Sequence, residues 1–473
     1  MRASSLAPRR SEDERGGGAP ANPRYFLAIA AISLGTVLTI LDGQIATVAP
    51  PTIARELNVA ESATVLVVTI YQLILVMTLL PFSALGSRIG LKRLYQGGQI
   101  VFTVATVACF FAHSLPFLLV VRALQALGAA AALSVTSAMI RSVYKPSHLG
   151  RGLALNVVFA TTASAAAPAL GGAILGFASW PWLFATGVPF ALLSLVVGRF
   201  GLPDVPSRSA GYDMLGAIYC VLTFGLAISG MEAWVHGAAP LVAGAMIAAG
   251  VVLGIVFVRH ELDQAAPIMP VDLLRQPVIA LSGASALCAF VGSMLLLLSL
   301  PFRLQHGYDI GPAKAGAMLA AWPLSLMVVA PTSGALSDRI PAGVLGSIGM
   351  AIATVALLLL AFLPAHLSYF DMAWRMALCG SGFGLFMAPN ARLIIGSAPR
   401  HRTASAGGLT STIRLIGQTL GATGVAALLA FKLGEGPVPA LIGCLLSAIA
   451  GVLSLARLNP ALRRPAAAEL DAA

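Results

Sequence analysis

Charge is what this chain of 473 residues has least of. Asp, Glu, Lys and Arg make up 10% of it, against about 25% in a soluble domain. Cysteine is scarce too. Cys109, Cys220, Cys288, Cys379 and Cys444 each fall in an apolar stretch and form no CxxC pair or Cys/His cluster. They read as small buried hydrophobes, so neither a metal site nor a redox pair is expected. The sequence has no Walker A loop, no HExxH, no dinucleotide-type Gly loop and no large polar domain. These absences argue against ATP-driven work in cis and against any cofactor. With no nucleophile–base pair in view, they also argue against an enzyme.

What the chain has is apolar length. It is 58% hydrophobic, with a mean hydropathy of +0.89, which marks an integral membrane protein. A spanning helix needs about 20 mostly apolar residues, and about fourteen such runs are readable at that length. They are Tyr25–Ile53, Ser62–Gly86, Leu94–Ala112, Pro116–Tyr144, Leu149–Phe177, Pro181–Phe200, Tyr212–Met231, Ala238–Val258, Val278–Phe302, Ala313–Leu336, Ala342–Leu363, Tyr369–Ser397, Thr403–Phe431 and Val438–Ala456. Residues 1–24 and 459–473 read as cytoplasmic tails, the first disordered and without a signal-peptide cleavage site.

The net charge is +11, which raises the question of a nucleic-acid partner. The placement of the basic residues answers it. With the N-terminus in the cytoplasm, roughly 22 of the Lys and Arg residues fall on the inner side and about four outside, as the positive-inside rule requires. Both termini are expected inside the cell membrane, the inner membrane of a bacterium, and no nucleic acid is implied.

A weak internal repeat divides the runs. SALGSR at Ser83–Arg88 ends the second, GALSDR at Gly334–Arg339 ends the tenth, and Ile follows in each. The expected fold is all-α, with two six-helix halves, 25–200 and 269–458, separated by a two-helix insert at 201–268. Repeated halves of this kind are a transporter signature.

Within the first run, LTILDGQIATVAPP (Leu38–Pro51) places Asp42 at membrane depth, where a carboxylate costs about 3 kcal/mol or more. Its readings are a proton-coupling group, whose charge changes as water reaches it from alternate sides, or a structural Asp paired permanently with an Arg. Arg122 lies at similar depth and is the partner to expect, switchable or static. Gln125 follows on the same helical face. Arg414 sits near a midplane with no intramembrane acid obvious in its half, and suits a structural or gating role or contact with an anionic group. Arg375 is placed to pair with Asp371 at i+4. Tyr71, Gln72, Gln125, Trp322, Phe386, Asn390 and Arg414 are candidates for a central cavity. Glu232 and His236 read as loop residues at an outer helix end.

Several of these stretches resemble the major facilitator superfamily, specifically the fourteen-helix drug:proton antiporters (EmrB/QacA-like). The loop motif G-x-L-x-D-R-x-G-R-K is matched by SALGSRIGLKR at Arg88, Gly90, Lys92 and Arg93, with Ser83 and Ser87 replacing the Gly and the Asp. The second copy keeps Gly334, Asp338 and Arg339. R-x-x-Q-G-x-G is matched at Arg122, Gln125 and Gly128, and the helix-5 antiporter motif G-P-x-x-G-G at Pro168, Gly171 and Gly172. WPWLF (Trp180–Phe184), the opening stretch with Asp42 and Pro50, and the runs Arg375–Asn390 and Arg414–Gly421 are also similar to the subfamily.

The resemblance implies gating by the charged loops and a conformational role for the helix-5 motif. It also implies proton-coupled export of drug-like or amphipathic molecules by alternating access. The residues alone leave open a transporter of a small metabolite or organic anion, or a membrane sensor that binds without turnover. The partners to expect are the bilayer, protons, a small-molecule solute and, at most, periplasmic adaptor proteins, the protein otherwise being a monomer.

Overall fold

The computed structural model describes residues 23–144, 149–204, 212–264, 267–337, 339–399 and 402–459. The two expected tails therefore lie outside the described residues, apart from Pro23, Arg24 and Asn459. Every regular element among the described residues is a helix. Thirteen helices are long and apolar enough to cross a membrane. The third long helix falls short of that threshold because Lys92, Arg93, Gln96 and Gln99 sit in its first half.

In chain order the long helices are α1 (Pro23–Ile45), α2 (Glu61–Ile89), α3 (Leu91–Cys109), α4 (Leu115–Val143), α5 (Leu149–Phe177), α6 (Pro181–Gly201), α7 (Met214–Val235), α8 (Pro240–Leu262), α9 (Pro277–Phe302), α10 (Pro312–Leu336), α11 (Ala342–Ala361), α12 (Tyr369–Ser397), α13 (Thr403–Ala430) and α14 (Val438–Ala456). Proline opens the first turn of α4, α6, α8, α9, α10 and α14, where its missing N–H costs no hydrogen bond.

The first apolar run is not one helix. It ends as α-helix at Ile45, passes through a 3₁₀ turn at Ala46–Val48 and resumes as a short helix, Pro50–Leu57. Pro50 and Pro51 cannot donate to the ladder, so the α-helical hydrogen bonds cannot continue through them. α6 is interrupted at Thr186–Gly187 and α10 at Ala320.

Helices α1–α6 pack among themselves, with α4 against α2 and α3, and α1 against α4, α5 and α6. Helices α9–α14 do likewise, with α9 against α12, α13 and α14, and α11 against α12 and α14. The two groups meet along two main seams, α2 with α13 and α5 with α10. α7 and α8 form a hairpin, and α7 lies on both α2 and α13. α8 turns Leu241, Val242, Val251, Val252 and Ile255 outward, as lipid contact demands and water would penalise.

The α5–α10 seam is a backbone-to-backbone crossing. A Cβ on Gly172 would lie 2.6 Å from the Pro312 carbonyl oxygen and 2.8 Å from Gly316 Cα. Only glycine on both sides permits that approach. Gly334, on the same helix α10, has nothing within 4 Å. We expect Gly316→Ala to destabilise the protein by about 1–3 kcal/mol, the usual cost of overpacking. Gly334→Ala should leave stability unchanged or raise it by up to about 1 kcal/mol. Thermal unfolding of the two variants in detergent checks the contrast. Equal midpoints would show that the crossing is not tight.

Candidate functional site

Asp42 lies in the last turn of α1, which ends at Ile45. That position is doubly unfavourable for a carboxylate. It is 6% exposed, and the C-terminal end of a helix carries the negative pole of the macrodipole. Arg122 of α4, fully buried, offsets both effects. Its Nη1 donates to Asp42 Oδ2 at 2.7 Å and to Gln125 Oε1 at 2.5 Å, and its Nε donates to the Val67 carbonyl oxygen at 3.4 Å. Gln125 Nε2 donates to Asp42 Oδ1 and to Thr106 Oγ1, both at 2.9 Å. Each carboxylate oxygen thus has a donor. The guanidinium lies over the Tyr71 ring at 4.4 Å and the Phe184 ring at 5.0 Å. Its Nη2 is buried without a partner. Residues of α1, α2, α3, α4 and α6 meet at this one charge pair.

Tyr71 is the wall between that pair and a cavity of about 360 Å³. One face of its ring stacks on Arg122, and the residue also lines the cavity. Its hydroxyl donates to the Thr39 carbonyl oxygen at 3.4 Å. The cavity is enclosed by α1 (Thr36, Thr39, Gly43, Gln44), α2 (Tyr71, Gln72), α4 (Thr136, Ser137), α5 (Asn156) and α13 (Ser411, Arg414, Gln418). It runs from the middle of the bundle, and on α4 and α5 its lining residues lie towards the face where α1 starts. At the opposite face the two helix groups touch. There α5 crosses α10, and His306 Nδ1 lies 3.1 Å from Glu61 Oε1 and 2.9 Å from Glu435 Oε1. Those three side chains join the start of α2 to the end of the α9 segment and the loop before α14.

Of the expected cavity residues, Tyr71, Gln72 and Arg414 line the space. Gln125, Trp322, Phe386 and Asn390 do not. Gln125 is committed to the charge pair. Trp322 borders a separate space of about 10 Å³ with Gln44 and Pro168. Phe386 packs inside the α9–α14 group near Gly346. Asn390 donates to the Ser282 carbonyl oxygen at 3.2 Å and accepts from Arg457 Nη1 at 2.5 Å. Arg457 lies just past α14, where burial lowers its guanidinium to about 10. Aromatic and amide types in an apolar run do not announce which wall they face, and periodicity could not separate these four from the other three.

The motif loops fall at the face where α1 starts. Gly90 joins α2 to α3 with φ +100, a conformation that a side chain would strain. Lys92 Nζ lies 3.6 Å from Asp204 Oδ2. Arg88, Arg93 and Arg339 are exposed, and Asp338 lies outside the described residues. Gly171 backs onto Ile45 and Val48, while Pro168 and Gly172 back onto α10 at Gly316. The helix-5 motif therefore touches both helix groups. Arg375 Nε donates to Asp371 Oδ1 at 3.1 Å, the expected i+4 pair.

Two features escaped the sequence. Thr106, which completes the Asp42 network, gave no signal, because threonine in an apolar helix ordinarily bonds its own preceding turn. Glu232 is a correction. It is a helical residue of α7, 7% exposed, and its Oε1 accepts from Thr423 Oγ1 of α13 at 2.5 Å. His236 follows at the end of α7, with Nδ1 2.8 Å from the Glu232 carbonyl oxygen. The signal was present, since the apolar run continues past Glu232 through Ala233, Trp234 and Val235.

Two helix groups, a one-sided cavity between them and a small-residue crossing at the other mouth fit a known architecture. A profile of the Major Facilitator Superfamily matches residues 32–422. The chain belongs to that superfamily. It is 40% identical over 409 residues to a protein of Escherichia coli (strain K12) named as an uncharacterized transporter, YebQ, a match covering 86% of this chain and 90% of that one. It is 29% identical over 406 residues to the multidrug resistance protein Stp of Mycobacterium tuberculosis (strain ATCC 25618 / H37Rv), covering 85% and 75%. The crystal structure of the peptide transporter POT superposes with a TM-score of 0.70 at 15% identity, covering 92% of this chain and 94% of that one. This last likeness shows the fold. The protein is a multi-pass membrane transporter of the major facilitator type.

Removing one member of a buried pair leaves the other charge without compensation. We expect Arg122→Gln to destabilise the protein by about 3–5 kcal/mol. Adding Asp42→Asn should restore most of that loss, because the remaining groups are neutral and can hydrogen-bond. A double-mutant cycle on unfolding midpoints in detergent measures the coupling. Additive effects would mean that the two charges do not depend on each other.

Proposed function

We propose that the protein is a proton-coupled exporter of amphipathic, drug-like molecules in the bacterial inner membrane, with both termini cytoplasmic. On this reading it is one of the fourteen-helix drug:proton antiporters, and the central cavity holds the transported solute. The observation that carries it is the Asp42–Arg122 pair behind Tyr71, a titratable group one side chain away from the cavity. The multidrug resistance name of Stp supports the export direction, and the basic loops at the face where α1 starts support the orientation.

The mechanism follows from what protonation does to the network. In the closed network Asp42 is an anion with a donor on each oxygen. A proton arriving from the periplasmic mouth makes it neutral, and the Coulomb attraction that holds Arg122 Nη1 is lost. Arg122 then carries an unbalanced charge in an apolar setting. It must find new acceptors, and the Tyr71 ring stacked on it must follow. Since Tyr71 also forms the cavity wall, proton binding and cavity shape are coupled through one side chain. Rocking of the two helix groups about the α2–α13 and α5–α10 seams then alternates the open mouth. Proton release to the cytoplasm restores the ion pair.

Reconstituted protein, with amphipathic dyes loaded on one side and an internal pH indicator, tests this. The expected result is proton movement driven by a dye gradient in wild type and abolished in Asp42→Asn. Dye flux with no pH change would remove the antiport reading, and unchanged coupling in Asp42→Asn would remove Asp42 from the mechanism.

A further inference from the structure

The cavity has a sign. Among the described residues Arg414 is its only charged side chain and no carboxylate lines it, and the nearby charge of Asp42 is cancelled by Arg122. Among the described residues Arg414 has no acidic partner. Its hydrogen bond runs from Nη1 to Gln418 Oε1 at 3.1 Å, one turn along its own helix. The guanidinium therefore keeps further donors for another group, in a planar fork suited to an oxyanion.

A second polar group points to the same ligand. Gln72 lines the cavity at 6% exposure, and its Oε1 is buried without a hydrogen-bond partner. A buried acceptor of this kind is costly to leave unpaired unless something donates to it. The two groups also sit at matching depth. Leu80 of α2 reaches within 3.6 Å of where a Gly408 Cβ on α13 would lie. From that level Gln72 is eight residues further along α2, and Arg414 is six residues further along the antiparallel α13. At about 1.5 Å per residue these are roughly 12 and 9 Å in the same direction. The long Arg414 side chain spans the difference.

We infer that the cavity selects a singly charged organic anion, with its carboxylate or sulfonate on Arg414, an N–H or O–H donor on Gln72, and its apolar body against Ile40, Leu75 and Leu79. This rests on the transport reading above and gives it a substrate class. A cation entering the same space would meet an uncompensated guanidinium with no acid to balance either charge. The anion neutralises the site instead. Its export against proton entry moves two charges in the same electrical direction, so an inside-negative potential assists each cycle.

A matched pair of probes tests the sign. Dansylglycine and monodansylcadaverine share a fluorophore and a sulfonamide N–H, and differ in carrying a carboxylate or an ammonium. Binding is followed by dansyl emission in detergent, and movement in phosphatidylcholine proteoliposomes against protein-free controls. Wild type is expected to bind and move dansylglycine in preference to monodansylcadaverine. Arg414→Gln should weaken dansylglycine binding at least about tenfold, the scale of a charge-assisted hydrogen bond. Arg414→Lys, which keeps the charge, should lose less. Equal or better handling of the cation by wild type overturns the inference without any variant. So does anion affinity unchanged in Arg414→Gln, or binding of neither probe. Arg414-dependent anion binding without movement upholds the site and removes the transport reading, so the two fail separately.

Discussion

The structure depends on the neutralisation of one carboxylate. Asp42 is buried in the last turn of a helix, where both desolvation and the backbone dipole oppose its charge. Its position is tenable because Arg122 supplies a counter-charge and Gln125 a second donor. Meeting that demand draws in most of the first helix group. Val67 and Tyr71 come from α2, Thr106 from α3, Arg122 and Gln125 from α4, and Phe184 from the start of α6. A change of charge at Asp42 therefore alters contacts made by residues of five helices.

The second constraint is geometric, and it explains why the cavity is one-sided. The opposite mouth is closed by the α5–α10 backbone crossing through Gly172 and Gly316, with the His306, Glu61 and Glu435 side chains beside it. The α2–α13 seam carries larger side chains, and Gln72 and Arg414 project from it into the space. One seam thus seals and the other lines the cavity. Pro168 meets α10 at this seam, and Gly171, three residues on, packs on Ile45 and Val48 just beyond Asp42, so the closed mouth and the charge pair share a helix end.

Much of the fold was legible in the sequence because a bilayer imposes simple rules. Apolar length locates helices, and fourteen runs correspond to the fourteen long helices found among the described residues. The exceptions have local causes. The first run is split by Pro50 and Pro51, and α3 carries charged and amide residues where it meets the loop. At the site, Asp42 and Arg122 were legible because a charge in an apolar run has few partners to choose from. Gln125 was legible as their neighbour, though its role is to bridge the pair and not to line the cavity. Trp322, Phe386 and Asn390 show the limit. Their chemistry suits a cavity, but the walls of a cavity are set by helix rotation, which composition does not encode. Glu232 was misplaced for a different reason. A charge near the end of an apolar run looks like its terminus, whereas the helix here runs on to Val235 and buries it.

That buried Glu232 gives the α7–α8 hairpin more than a packing role. α8 faces outward with apolar side chains, as passive packing would have it, but α7 does not simply fill space. Its carboxyl accepts from Thr423 Oγ1 of α13, and its Oε2 has no hydrogen-bond partner and lies 3.7 Å from His236 Nδ1. The helix that carries it packs on both helices of the lining seam, α2 and α13. Any rearrangement that moves α13 against α7 must stretch or exchange this bond, and in an apolar setting the exchange costs on the order of 1–3 kcal/mol. The α7–α8 hairpin is therefore tied energetically to α13, one of the helices that line the cavity. Its position on the seam rests on that buried acid as well as on the apolar packing of Cys220 and Phe224.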